Sequence, residues 1–403
     1  MCGVVLFKVF IMLSAFTLIT EAQYSRKDNM DAPVPKLITA NGYPVEKHRV
    51  TTEDGYHIQM HRIPAGRRTA RRTVGSGGKG KRAVLMVHGL VGSSGDFVIM
   101  GPKNSLSYIL ADAGYDVWLG NLRGNIYTSH QNLTRNDPAF WDYSFHEHGK
   151  YDAPAMIDKV LKVTGLSKIL YIGYSMGTTT FFTMMSQKPE YNDKLIAFVA
   201  LAPAVYVDNM KEIATFFLKS MDIITTLRQR GMLALGFKQD VMDFVAESFC
   251  TARNPESDVC MRIMYSIVGE DYEQHDWDMT PIFIARAQPA SWKQLEHFGK
   301  IAMTSVFTEW ADGLWGALKP YRLDNVKIPV SLFYGLNDRL TEKSGILRLA
   351  AELNETGVLH SIKGCNWPKF NHLDFVFAKN VGKLVNRPLV GHIDELHNKY
   401  YVQ

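Results

Sequence analysis

The sequence has 403 residues, of which 46% are hydrophobic and 21% charged, so it is long enough for one large core with an insertion or for two domains. The formal net charge is +5, but residues 65–82 hold seven basic side chains and no acid, and without them the rest carries −2. No global basic field therefore points to nucleic acid, and we expect no nucleic-acid partner.

Residues 1–22 have the pattern of a secretory signal peptide. Lys8 precedes an apolar run over residues 9–19 that is too short to span a bilayer, and small residues end the segment at Ala22. An uncleaved anchor is the alternative. The pattern predicts a protein that is secreted or delivered to the lysosomal lumen, without a transmembrane segment.

If the chain enters the secretory pathway, its cysteines can form a disulfide and two short motifs can be glycosylated. Cys250 and Cys260 are ten residues apart and could close a small loop, which would leave Cys365 as an odd thiol. Asn132 and Asn354 each begin an Asn-x-Thr triplet. In a secreted chain both triplets are expected to accept N-linked glycans.

The first predicted element is a β-hairpin over residues 45–63, with its turn at Asp54-Gly55. Apolar and polar residues alternate beyond the turn, so we expect His57 and His61 to be solvated. Residues 65–82 have no apolar period and are expected to form an exposed, flexible basic loop.

From residue 83 the chain alternates short apolar runs with helical patterns, which predicts a mostly parallel sheet with helices on both faces. The alternation stops near residue 205, gives way to amphipathic helical segments up to about residue 315, and then resumes. We therefore expect an α/β core from residues 23–204 and 316–403 and a helical cap from residues 205–315. The predicted strands are 83–87, 116–119, 169–172, 197–201, 329–334 and 358–362, and the predicted helices are 105–113, 156–163, 178–185 and 374–385.

The most informative stretch is the pentapeptide that contains Ser175, Gly-Tyr-Ser-Met-Gly, between a predicted strand and a predicted helix. This is the nucleophile-elbow pattern, a sharp turn that lifts one serine above the end of a sheet. Glycines two residues to either side are expected because a side chain there would collide with the neighbouring strand and helix.

A serine hydroxyl needs a base, and the base needs an orienting acid. In the order that this elbow predicts, the acid comes next and the histidine last. Asp338 follows the strand at 329–334, and His372 follows the strand at 358–362. Asp374 and Asp324 are rival acids, the first two residues from His372 and the second before its strand.

Two backbone amides should stabilise the oxyanion. We expect one from Met176, directly after the serine, and one from Leu90 in the His-Gly-Leu turn after the first core strand. Residues 145–148 contain two histidines and a glutamate without the spacing of a zinc motif, so no metal is expected. No phosphate loop or dinucleotide fingerprint follows a strand, so no cofactor is expected.

With these motifs in view, the chain resembles the acid lipase family of the α/β-hydrolases, the gastric and lysosomal acid lipases. The resemblance implies that Ser175, Asp338 and His372 form the triad, that Leu90 and Met176 form the oxyanion hole, and that Cys250–Cys260 is a cap disulfide. It runs from about residue 41 to 383 and is carried by residues 41–46, 52–56, 62–64, 88–90, 115–121, 123–125, 140–141, 151–158, 334–338 and 371–375.

The chain departs from the family pattern in three places. Tyr174 and Met176 replace the usual His and Gln beside the serine, which changes the polarity next to the nucleophile. The basic stretch 65–82 and the cap segment 286–290 also differ, and the second leaves acyl-chain preference open.

The sequence therefore predicts a serine lipase that hydrolyses carboxylic esters of lipids, triacylglycerol or sterol ester, at a lipid–water interface. An acyltransferase or thioesterase could use the same triad. A catalytically silent lipid-binding homologue is the alternative from another class.

Overall fold

A computed structural model of the protein describes residues 33–67, 82–208, 234–235, 250, 259–311, 313 and 315–401. The predicted signal peptide, most of the basic stretch and much of the first half of the predicted cap lie outside this part of the chain. Within it, no helix is both long enough and apolar enough to cross a bilayer.

A nine-stranded sheet forms the centre of the described structure, with the order β1-β2-β4-β3-β6-β7-β10-β11 and with β5 paired to β2. β2 runs antiparallel to β1, β4 and β5, whereas β4, β3, β6, β7, β10 and β11 form a parallel block. The strands are β1 Glu46–Thr51, β2 Tyr56–Ile63, β3 Ala83–Val87, β4 Asp116–Leu119, β5 Thr128–His130, β6 Ile169–Tyr174, β7 Leu195–Leu201, β10 Val330–Tyr334 and β11 Leu359–Gly364. A separate two-stranded sheet pairs β8 Ala234–Leu235 with β9 Ala290–Ser291.

Helices cover both faces of the sheet, as the alternation of patterns predicts. They are α1 Pro33–Ala40, α2 Gly101–Asn104, α3 Leu106–Asp112, α4 Phe145–Glu147, α5 Ala153–Thr164, α6 Met176–Gln187, α7 Val259–Val268, α8 Thr280–Ala285, α9 Trp292–Thr304, α10 Lys343–Glu355, α11 Asp374–Phe377 and α12 Arg387–Tyr400. Short 3₁₀ helices occur at Ser94–Phe97, Pro138–Trp141, Pro189–Lys194 and Leu323–Asn325, and π-helical turns at His148–Asp152 and Gly382–Asn386.

Side chains of alternate residues in each central strand pack into two separate apolar cores, one on each face of the sheet. Leu85 and Tyr171 point into one core, with residues from α5, α6, α9 and α10. Val84 and Ile172 point into the other, with residues from α1, α3 and α12. Because both faces are buried, β3, β6 and β7 consist almost wholly of apolar residues, as expected of a covered parallel sheet.

The predicted hairpin is present, but one statement about it is wrong. β1 pairs with β2 from Glu46↔Arg62 to Thr51↔His57, yet His61 is fully buried rather than solvated. Its Nδ1 lies 2.8 Å from the Ser94 hydroxyl, and burial lowers its pKa to about 3. The alternation in β2 predicted that one face of the strand is exposed to solvent, but the loop that carries Ser94 covers that face at His61.

The ends of the basic stretch are more ordered than a fully exposed loop would be. Ala65 is buried, and the backbone amide of Arg67 donates to the Asp112 carboxylate at 3.0 Å. At the other end, Arg82 forms an ion pair with Asp394 at 2.5 Å. An exposed loop that starts at residue 65 is therefore wrong for residues 65 and 66.

The last predicted helix, 374–385, is not continuous. α11 ends at Phe377, a π-helical turn follows at Gly382–Asn386, and the long helix α12 begins at Arg387. Pro388 lies in the first turn of α12, directly after this π-helical turn, and has no N–H to donate to the preceding turn. The hydrophobic periodicity therefore predicted one helix across this break and did not predict α12.

Candidate active site

The turn between β6 and α6 has the strained geometry that the elbow pattern predicts. Ser175 has φ 51° and ψ −120°, a conformation that L residues with side chains rarely adopt. A Cβ on Gly177 would lie 2.2 Å from the Val87 carbonyl oxygen, and one on Gly173 would lie 2.7 Å from the backbone of residue 177. Glycine is thus required on both sides for α6 to start so close to the sheet.

Three side chains from distant parts of the sequence meet above the carboxyl ends of β6, β10 and β11. His372 Nε2 lies 2.8 Å from Ser175 Oγ, and His372 Nδ1 lies 2.8 Å from Asp338 Oδ2. All three residues are buried. Ser175, His372 and Asp338, which the sequence singled out separately, therefore form one continuous hydrogen-bonded chain.

Asp338 is held by its own loop. Its Oδ1 accepts the amides of Leu340 at 2.9 Å and Thr341 at 2.8 Å, and its Oδ2 accepts the Thr341 hydroxyl at 2.7 Å. These donors fix the carboxylate with one oxygen toward His372. The rival acids are placed differently: Asp374 accepts the amide of Asn371, and Asp324 pairs with exposed Arg322.

The peptide between Gly89 and Leu90 is fixed by His88. The imidazole accepts the Leu122 amide at Nε2, at 3.0 Å, so Nδ1 carries the proton and donates to the Gly89 oxygen at 2.8 Å. Because the oxygen of this trans peptide is held toward His88, the Leu90 N–H points the opposite way. Burial lowers the pKa of His88 to about 4, which keeps this neutral tautomer in place above that pH.

The two unusual neighbours of Ser175 both contact the surrounding structure. Tyr174 donates its hydroxyl to the His372 backbone oxygen at 3.1 Å. Met176 accepts a hydrogen bond at its sulfur from Gln294 Nε2 of α9, at 3.2 Å. The amide of Met176 is the first of α6 and has no acceptor within the helix, so it remains available above Ser175.

The segment 286–290, which departs from the family pattern, packs beside the Leu90 loop. The Gln288 amide donates to the Val91 oxygen at 2.7 Å, and its side-chain oxygen accepts the Ile126 amide at 3.1 Å. Val91 itself has φ 51°. The segment therefore supports the loop that presents the Leu90 N–H.

The end of α7 is joined to the loops that carry Asp338 and His372. The Arg339 amide donates to the Val268 oxygen at 3.2 Å, and Asn371 Nδ2 donates to the Gly269 oxygen at 2.9 Å. Gly269 has φ 100°, and a Cβ there would lie 1.9 Å from the Asn337 oxygen. This part of the 205–315 segment therefore contacts the core through backbone atoms rather than through side chains alone.

The cysteine pair predicted in the same segment is joined. A disulfide links Cys250 and Cys260, and Cys365 is a free, buried thiol. Burial is the main cause that raises the pKa of Cys365, to about 12, so this thiol is protonated at physiological pH and is a poor nucleophile.

A buried pair of carboxyl groups links the same segment to the histidine loop. Asp271 and Asp374 are hydrogen-bonded side chain to side chain, and burial, together with the charge of Asp271, raises the pKa of Asp374 well above its usual value. Trp367 Nε1 also donates to Asp271 at 2.7 Å. The raised pKa favours a protonated Asp374 that donates to Asp271, and burial raises the pKa of Asp271 as well.

We expect Asp374→Asn to make stability less dependent on pH. An unfolded aspartate titrates near 4, so the stability that this shared proton contributes is complete below about pH 4 and is lost as pH rises through the raised folded pKa. The slope is about 1.4 kcal/mol per pH unit for one proton. An asparagine amide donates to Asp271 at every pH, so the variant should be more stable than the wild type at pH 8.

Urea denaturation at pH 5 and pH 8 measures this effect. Asp324→Asn is the control: Arg322 lowers the pKa of Asp324, so that variant should not gain stability at pH 8. An Asp374→Asn variant with the pH slope of the wild type would contradict the shared proton.

Sequence reasoning did not find several residues that support this arrangement. Thr341 carried a signal, since a threonine three residues after Asp338 is typical of a side chain that closes a turn. His88 was noticed only as part of the His-Gly-Leu turn. Gln294 forms a local capping box with Ser291, but its contact with Met176, 118 residues away, had no local signal. The contact of Asp271 with Asp374 had none either.

The histidines at residues 145–148 do not converge. His146 Nδ1 lies 2.8 Å from the Tyr321 hydroxyl, Glu147 accepts the Ser144 amide as part of a capping box, and His148 is fully buried. His146 and Glu147 thus have different partners, and neither ring nitrogen of His148 has a hydrogen-bond partner.

Comparisons with known proteins agree with this geometry. A family model described as a partial alpha/beta-hydrolase lipase region matches residues 34–101, and one described as the alpha/beta hydrolase fold matches residues 82–373. Lipase 1 of Drosophila melanogaster is 35% identical over 382 residues, which cover 90% of this chain and 80% of the relative. Gastric triacylglycerol lipase of Bos taurus is 30% identical over 405 residues, which cover 94% and 96%.

Among solved structures, a Sulfolobus solfataricus protein superposes with a TM-score of 0.53 at 14% identity, over 87% of this chain and 99% of its own. At this identity the likeness concerns the fold alone. The resemblance to the acid lipases is thus confirmed over nearly the whole sequence, and the chain belongs to the lipase family of the α/β-hydrolases, the carboxylic ester hydrolases.

Proposed function

We propose that this protein hydrolyses lipid esters through a covalent acyl-enzyme formed on Ser175. The observation that carries the proposal is the hydrogen-bonded chain from Ser175 through His372 to Asp338, with both links at 2.8 Å. The first proton transfer, from Ser175 Oγ to His372 Nε2, can occur in this geometry without movement of either group.

The hydrogen bonds support a role for each atom. His372 donates its Nδ1 proton to Asp338, which leaves the Nε2 lone pair to accept the Ser175 proton. Ser175 Oγ attacks the ester carbonyl, and the resulting oxyanion receives the amides of Leu90 and Met176. His372 then returns the proton to the departing alcohol, and a water molecule, activated in the same way, releases the fatty acid.

An apolar surface beside His372 favours a lipid over a small polar ester. Met261, Tyr265 and Val268 of α7 form a buried cluster against which Leu373 packs. An apolar wall next to the base is suited to a long acyl chain. We propose residues 205–315 as the cap that supplies this wall, and a lipid–water interface as the place where substrate is met. Triacylglycerol and sterol ester both fit these features.

We further propose that the protein is secreted or lysosomal. The Cys250–Cys260 disulfide suits an oxidising compartment. Asn132 and Asn354 are both exposed, as glycan acceptors must be. A signal peptide at residues 1–22 would direct the chain there, and digestion with an N-glycosidase, followed by intact mass, tests whether the two asparagines are modified.

A serine-directed phosphonate ester is the direct test of the nucleophile. The expected result is one adduct per chain, on Ser175, located by peptide mass spectrometry. Ser94 is an internal control because it also lies 2.8 Å from an imidazole, that of His61. The other nitrogen of His61 faces Gln59 rather than a carboxylate, so Ser94 should stay unlabelled.

An ester panel of varied chain length and alcohol, with and without an added acyl acceptor, separates the alternatives. Release of fatty acid to water supports a lipase, whereas preferential transfer to the acceptor supports an acyltransferase, and a thioester preference supports a thioesterase. A folded protein without a phosphonate adduct would contradict the proposed enzyme and favour a lipid-binding homologue.

A further inference from the structure

A second cluster of titratable side chains lies away from the active site. Ser175, Asp338 and His372 follow the carboxyl ends of their strands, whereas His360 is the second residue of β11 and lies near its amino end. Two residues of α12, His392 and Glu395, meet it there, and the three possible ligand atoms all lie within 4.8 Å of one another.

An irregularity in the edge strand brings His360 to this face. Val330 of β10 pairs with Leu359, but the next residue, Ser331, pairs with Ser361, so His360 is left out of the register. An extra residue of this kind re-aims its side chain, and such irregularities are common at sheet edges and beside functional sites. His360 thereby shares the face of Ser361, on which α12 packs.

Both imidazoles present a ring nitrogen to Glu395 and have a hydroxyl at the other nitrogen. His392 Nε2 lies 2.8 Å from Ser331 Oγ, and His360 Nδ1 lies 3.1 Å from the Tyr400 hydroxyl. A hydroxyl oxygen can accept from a ring N–H, which leaves the opposite nitrogen with its lone pair. Metal-binding histidines are oriented by outer hydrogen bonds of this type.

The distances to Glu395 leave room for an ion. His360 Nε2 lies 3.6 Å from one carboxylate oxygen and His392 Nδ1 lies 3.8 Å from the other, so neither nitrogen is within hydrogen-bonding range of the acid. Tetrahedral Zn²⁺ with bonds of about 2.0–2.1 Å places its ligands roughly 3.4 Å apart. The spacing is thus close to that of a zinc ligand set, and the Glu395 side chain, 59% exposed, can close the rest.

We propose that His360, His392 and Glu395 bind Zn²⁺ and so join the C-terminal helix α12 to the edge strand β11. Two imidazoles and one carboxylate suit zinc, whereas Mg²⁺ prefers an all-oxygen set. No local motif predicted this site, because His360 lies 32 residues before His392. Lys363 of the same strand carries a positive charge near His392, and it weakens zinc binding by repulsion.

Zinc titration of the full-length, chelator-treated protein tests the proposal. Calorimetry at pH 7.5 should detect one zinc ion that is lost or weakened at least ~10-fold in Glu395→Gln and in His360→Ala. Zinc should also raise the Tm of the wild type, because a ligand that binds only the folded state stabilises it, and it should not raise the Tm of these variants. Lys363→Gln should bind zinc more tightly.

The controls separate this site from other histidines and from the ester hydrolase. His397→Ala alters a histidine of the same helix that stacks on Tyr401, and it should bind zinc as the wild type does. Magnesium should not shift the Tm. Glu395→Gln should keep full esterase activity without zinc, so failure of one proposal does not disturb the other. Wild-type zinc binding in both ligand variants, or no zinc binding by the wild type, would overturn the site.

Discussion

Replacing His372 by alanine should lower kcat/KM for ester hydrolysis by roughly 10⁴–10⁶-fold, and Asp338→Asn should lower it by roughly 10⁴-fold. The alanine variant has no base for the Ser175 proton. The asparagine variant keeps the shape but donates to Nδ1 rather than accepting from it, so the imidazole adopts the tautomer that cannot take the serine proton. Initial rates on a soluble ester, with folding checked by circular dichroism, measure both effects.

Asp374→Asn is the matched control, because Asp374 is a second buried acid of the histidine loop itself and lies only two residues from His372. Its carboxyl group contacts Asn371 and Asp271 and not the imidazole. We expect this variant to stay within about tenfold of wild-type kcat/KM, well short of the loss for the orienting acid. Equal losses in Asp338→Asn and Asp374→Asn would show that the orienting acid has been misassigned.

Replacing Arg123 by methionine should destabilise the protein by about 3–5 kcal/mol. The guanidinium group is almost fully buried and binds Asp152 at 2.7 Å and Asp54 at 2.6 Å. Burial alone would lower the pKa of Arg123, but the two carboxylates outweigh it and raise the pKa. Methionine fills part of the volume but leaves the Asp152 carboxylate buried without a counter-ion. Urea denaturation followed by tryptophan fluorescence measures the loss.

Two further variants test whether an unpaired buried charge causes the loss of stability. Arg322→Met removes an exposed ion pair with Asp324 and should cost less than about 1 kcal/mol. Adding Asp152→Asn to Arg123→Met should recover part of the loss, because the buried charge is then removed as well. A double variant less stable than Arg123→Met would contradict the unpaired-charge explanation.

The sequence predicted the parts of this site that depend on short-range patterns. The elbow is encoded in consecutive residues, since its strand, its two glycines and its helix all lie between residues 169 and 187. Asp338 and His372 could be found because parallel strands bring their carboxyl ends to one edge of the sheet. The sequence pattern therefore predicted at which edge of the sheet these residues lie, but not which atoms they contact.

The features that the sequence did not predict depend on distant partners. The burial of His61 follows from the loop at Ser94, 33 residues away, and alternation within β2 contains no trace of it. The β-bulge at His360 and the break after Phe377 come from how strands and helices meet. The Asp271–Asp374 contact joins two carboxyl groups from different regions of the chain, and no local pattern in the sequence pairs them.

The backbone contacts at Gly269 restrict how a bulky substrate can reach Ser175. Swinging α7 outward as a door would pull on Arg339 and Asn371 and drag the acid and the base away from the nucleophile. Any opening of the active site that preserves catalysis must therefore occur in another part of the surrounding structure, while α7 stays in place.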